Sequence, residues 1–134
     1  MLKINEEEYK ILLSEIKYLK STYNKIKGYS ILVSIEMERN NQKGYISFFV
    51  DFFDSNNFKN IENKKYKELP TYLNSKIDLI EIFDTNNLFD FVDFIDSEVT
   101  LEFGEINDKK IEMTLNINDE LIKLDYKGFA NMVQ

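Results

Sequence analysis

Residues 5–28 read NEEEYKILLSEIKYLKSTYNKIKG. The fold class turns on this stretch. Its apolar residues fall at Tyr9, Leu12, Ile16, Leu19, Tyr23 and Ile26, in alternating steps of three and four. That spacing gathers them on one side of an α-helix and predicts an amphipathic helix from Asn5 to about Ile26. Asn5 reads as its cap, with Glu8 three residues on, and Gly28 as its stop. Lys25 and Lys27 fall where the helix dipole favours positive charge. So regular a seam also suits a dimer surface, but packing on the protein's own sheet is the simpler expectation.

Downstream the periodicity changes to two. Tyr29, Ile31, Val33, Ile35 and Met37 share one face of a predicted strand, and Ile46, Phe48, Val50 and Phe52 one face of the next. Asn40 to Gly44 supplies the turn between them. The second strand carries Tyr45, Phe49 and Phe53 on its other face, so it is either covered on both sides or presents aromatics to a partner. From Ser55 to Lys67 the chain is polar and reads as a loop with one short helical turn, and Pro70 closes that segment. Residues 77–83 suggest a further strand, and a second, acidic helix is predicted from about Asn87 to Asp96. Strands near Val99–Phe103, Lys110–Ile117 and Leu121–Tyr126 form a C-terminal β-meander, with turns at Gly104–Asp108 and Asn118–Asp119 and fraying expected after Gly128. The expected architecture is α+β: an N-terminal helix on a mostly antiparallel sheet of five or six strands, with a short acidic helix, in one domain spanning 1–134.

Composition narrows the chemistry. A chain of 134 residues with 43% hydrophobic and 14% aromatic side chains can bury a core. It has no Cys and no His, which removes thiol nucleophiles, thiolate metal sites, imidazole ligands and every Ser-His-Asp arrangement. The four glycines are scattered and form no phosphate loop. A calcium loop starting at Asp84 fails, because Phe89 stands where Gly is needed and Ile95 where Glu is needed; one starting at Asp54 ends on Lys65. No cofactor or metal is expected, and paired-carboxylate hydrolysis has no supporting cleft signature. Met1 to Glu8 does not resemble a signal peptide, and no apolar run is long enough for a membrane helix, so a cytoplasmic location is expected. The abundance of Lys, Asn, Ile and Phe fits an AT-rich bacterial or phage genome.

Charge is the feature that points further. The net charge is −7, which disfavours direct nucleic-acid binding. Residues 78–108 contain ten acids and no Lys or Arg, so the whole negative excess sits in one segment. On a helical wheel, Leu88, Phe91, Val92 and Ile95 form a core stripe, Asp90 and Asp93 point away from it, and Phe89 and Phe94 flank the acids. Ordinary amphipathicity explains part of that pattern, and half-buried core shoulders are the plain explanation of the flanking rings. The sharper reading is a partner-binding surface made of Asp84, Phe89, Asp90, Asp93, Phe94, Asp96 and Glu98, with aromatic anchors in an acidic surround. Tyr45, Phe49 and Phe53 are the alternative surface. The leading expectation is a non-enzymatic inhibitor, an immunity protein or antitoxin that neutralises a basic bacterial toxin such as a nuclease. A phage-encoded, nucleic-acid-mimicking inhibitor of a defence nuclease of the anti-CRISPR type comes second, and a structural or assembly subunit third.

Overall fold

The structure, a computed structural model, describes residues 1–23, 25–68, 77–84, 98–118 and 122–133. The stretch that opened the sequence reading is a strand. β1 spans Leu2–Ile4, β2 Glu7–Tyr23, β3 Ile26–Arg39, β4 Gln42–Phe53, β5 Lys65–Glu68, β6 Ile77–Asp84, β7 Glu98–Asn107, β8 Lys110–Asn118 and β9 Lys123–Val133. Among the described residues there is no α-helix, only a 3-10 turn at Phe58–Asn60. The α+β expectation is therefore overturned in favour of a nearly all-β chain. The second predicted helix, 87–96, lies outside the described residues.

A bulge explains why 5–28 imitates a helix. Ile11 pairs with Met37 and Leu13 with Glu36, so Leu12 is an extra residue in β2. Tyr9 and Ile11 pack against the core before the bulge; Ser14, Ile16 and Tyr18 turn inward after it. This change from odd to even breaks the alternation that marks a strand, and the remaining apolar positions happen to step by three and four. Asn5 is not a helix cap. Asn5 and Glu6 both take positive φ, 51° and 71°, and form the two-residue turn from β1 to β2. Gly28 is not a stop but a buried residue within β3, opposite Ser21.

The nine strands form one sheet in the order β5-β7-β8-β9-β1-β2-β3-β4-β6. Neighbours are antiparallel, but where three-residue β1 runs out β9 closes directly on β2, in parallel, at Glu15–Lys17 and Asn131–Val133. The C-terminal segment is thus paired through Val133, and the fraying expected after Gly128 does not occur. β7 likewise runs on to Asn107, through the expected turn, and the chain reverses at Asp108 with φ 60°. Bulges in β2, in the β3–β4, β4–β6 and β7–β8 pairs, bend the strands beyond their usual twist. The sheet curls into a half-barrel whose outermost strands, β5 and β6, come within 8 Å Cα to Cα.

The concave side holds a single core that draws Leu2, Ile16, Val33, Phe48, Leu101, Phe103, Leu115 and Leu124 from all around the sheet. Phe58 and Ile61 enter the same core from the segment between β4 and β5. That segment is tied to β7: Asn63 N–H donates to the Gly104 carbonyl at 3.1 Å, Phe103 N–H to the Lys64 carbonyl at 2.9 Å and Ile106 N–H to Glu62 Oε2 at 2.8 Å. No helix among the described residues is long and apolar enough to cross a membrane.

Candidate functional site

Alternation along β4 decides which of its rings reach solvent. Ile46, Phe48 and Val50 are buried on the concave side, leaving Tyr45, Ser47 and Phe49 on the convex side. Tyr45 is 37% exposed and Phe49 partly so. Phe53 does not join them. The pairing slips between Tyr29–Phe53 and Ile31–Val50, and this added residue turns Phe53 into the core. There it is 8% exposed and meets Tyr18 edge-on at 5.9 Å.

The edge strand β6 brings acidic positions beside Phe49 and Ser47, and Phe83 beside Tyr45. Asp78 stands in register with Phe49, Glu81 with Ser47 and Asp84 with Gly44. A bulge between these pairs lets acids three apart in β6 oppose residues two apart in β4. Two features that lie thirty residues apart in the chain, the aromatic strand and the start of the acidic segment, are therefore strand neighbours. Across β3, Leu32 pairs with Phe49 and extends its apolar patch inward, while Tyr45 stands opposite Glu36.

The other end of the acidic segment is different. Glu98 and Glu102 are exposed on β7, but Lys65 of β5 is paired with Glu102 and Lys67 with Thr100. The polar stretch that reads as a loop supplies this short lysine-bearing strand, so the local negative excess around Glu102 is balanced in space. The Lys-Tyr-Lys alternation at 65–67, with Tyr66 packed on the core and edge-on to Phe103 at 6.3 Å, was the signal available for it.

Of the predicted surface, Asp84 ends β6 and Glu98 begins β7; Phe89, Asp90, Asp93, Phe94 and Asp96 lie outside the described residues. Glu98 borders an open depression of about 290 Å³ on the convex face, lined also by Thr100, Asn116, Asn118, Lys123 and Asp125. Its rows, Glu98–Asn118–Lys123 and Thr100–Asn116–Asp125, follow the β7–β8–β9 register. The side chains of these rows are exposed or half-exposed and supply both donors and acceptors, which suits surface hydrogen bonding.

The buried hydroxyls are structural. Ser14 Oγ and the Tyr126 hydroxyl share a hydrogen bond of 2.8 Å inside the sheet. Burial raises the Tyr126 pKa, opposed in part by that bond, so the phenol stays protonated at neutral pH. Tyr18 donates to the Asn57 carbonyl at 2.8 Å, and burial raises its pKa too. Among the described residues no group of three or more Asp or Glu is arranged to hold a metal ion. No family model, curated protein or solved structure matches the chain.

Proposed function

We propose that this protein is a non-enzymatic binding module that neutralises a basic protein, in the manner of an immunity protein covering a toxin nuclease. One observation carries the reading: on the outward face of β4, Phe49 lies in register with Asp78 of the edge strand β6, and Ser47, between Phe49 and Tyr45, with Glu81. Aromatic side chains bury large area at small entropic cost, and a surrounding negative potential steers a cationic partner onto them. The lysines of β5, in register with Glu102 and Thr100, offset the acids of β7, which favours the β6 side over β7 for a cationic partner. The absence of His and Cys from the sequence supports binding over catalysis.

The test is rescue and binding with the product of the adjacent gene. Its expression is expected to arrest growth, and co-expression of this protein to restore it through a stable complex. Tyr45→Ala and Phe49→Ala are expected to speed dissociation, and Asp78→Lys with Glu81→Lys to slow association, with circular dichroism as the folding control. A folded protein that neither rescues growth nor binds overturns the proposal. Binding unaffected by any of the four substitutions removes the interface from β4 and β6.

A further inference from the structure

The geometry points to a second copy of this chain docked against the convex face of β9 and β2, as a two-fold symmetric dimer. This inference is independent of the binding reading above and concerns different strands. β9 buries Leu124, Tyr126 and Ala130, which leaves Phe129, Asn131 and Val133 facing outward. Phe129 is 51% exposed and Val133 36%. The β2 bulge adds a third side chain to this region: Leu12, the extra residue, is 38% exposed. Three of the large apolar side chains most exposed among the described residues thus belong to two strands that pair directly with each other. A scattered exposed hydrophobe needs no explanation, but several together on one sheet face do.

The charges around this stripe say what covers it. Asn131 is paired on one side with Lys110 of β8 and on the other with Glu15 of β2. One row across the sheet therefore reads plus, neutral, minus, centred on β9. Neither Lys110 nor Glu15 has an ion-pair partner among the described residues, where the salt bridge is that of Arg39 with Glu7 at 3.2 Å. A two-fold axis lying in the interface along β9 places Lys110 of each copy over Glu15 of the other. The same axis sets Phe129 against Phe129 and Val133 against Val133. A row that is its own complement under rotation is what an isologous contact requires. A uniformly basic partner gains from Glu15 but is opposed by Lys110, so the row favours a copy of the chain. Tyr45 and Phe49 lie two strands further round the sheet and stay outside the contact.

Sedimentation velocity on the full chain at micromolar concentrations tests this. The expected species has twice the 16.0 kDa mass of the chain. Phe129→Asp is expected to give a folded monomer. Glu15→Lys and Lys110→Glu are each expected to weaken association by about tenfold, and the two together to restore it, because the swap re-creates the complementary pair in reverse. All three charge variants alter exposed or half-exposed side chains and keep the fold within reach of measurement. A monomer at every concentration overturns the inference. So does a dimer that survives Phe129→Asp, or a double swap no tighter than the single variants.

Discussion

Leu12 and Ile16 stand one helical turn apart in the sequence, yet only Ile16 reaches the core. The bulge that turns Leu12 outward makes the pair a direct test of the strand. Ile16→Ala is expected to cost about 2–5 kcal/mol, the range for a large core truncation, while Leu12→Ala costs less than about 1 kcal/mol. Chemical denaturation of the two variants reads the difference, and equal large losses would restore the helical seam. A second test at this scale concerns the buried hydroxyl pair. Tyr126→Phe leaves Ser14 Oγ without its 2.8 Å partner and is expected to destabilise by roughly 1–3 kcal/mol. Adding Ser14→Ala removes the stranded group, so the double variant is expected to lose less than the sum of the singles. Gly128 belongs to the same site: a Cβ there would stand 2.9 Å from the Tyr126 hydroxyl oxygen, so Gly128→Ala is expected to be tolerated only with that ring displaced.

Elements show which physical signals the sequence carries openly. β3, β4, β7 and β8 were legible because each keeps a period of two long enough to be recognised, from Ile31–Met37 in β3 to Ile111–Ile117 in β8. β2 was not, since its alternation changes parity at Leu12 and Glu6 to Glu8 resemble the acidic first turn of a helix. β1 was missed because three residues carry no period, and one of the two strands that hold it, β9, lies more than a hundred residues away, the other being β2. Asn5 couples those distant elements: its N–H donates to the Lys123 carbonyl at 2.8 Å and its Oδ1 accepts from Lys123 N–H at 2.9 Å. For the surface, the sequence left Tyr45 and Phe49 open between a covered and an outward face, and the inward turn of Phe53 depends on a pairing slip that no local pattern announces. The β1–β2 turn offers an element-level prediction. Glu6 holds φ 71°, a conformation costly to a side chain bearing Cβ and free for glycine. Glu6→Gly is therefore expected to stabilise the protein by about 0.5–1 kcal/mol after the entropy of glycine in the unfolded chain is set against the relief. An unchanged or lowered melting temperature would show that the turn carries no such strain.

At the scale of the whole molecule, one core is closed by strands and by the 3-10 segment, and tyrosines stand where these parts meet. Tyr18 packs against Tyr29, Phe53 and Phe58, joining β2 to β3, β4 and the inserted segment. Tyr66 of β5 has its pKa pushed up to about 12, first by burial and then by the proximity of Tyr18. Folding therefore favours the protonated phenols of Tyr18, Tyr66 and Tyr126, all raised above the ordinary value of 10.0. The sign follows from proton counting. Below pH 10 folded and unfolded chains both hold these protons, and the stability they confer is fully present. Above pH 10 the unfolded chain releases these protons while the folded chain still retains them, that of Tyr66 until about 12, so rising pH pulls the equilibrium toward unfolding. Stability is thus expected to show no tyrosine-linked change through neutral pH and to fall steeply above 10. The tyrosinate absorbance of Tyr18, Tyr66 and Tyr126 should appear together with loss of the far-ultraviolet strand signal. A titration in which Tyr18, Tyr66 and Tyr126 ionise near pH 10 while the sheet remains intact would show that these three do not lie inside the curled sheet.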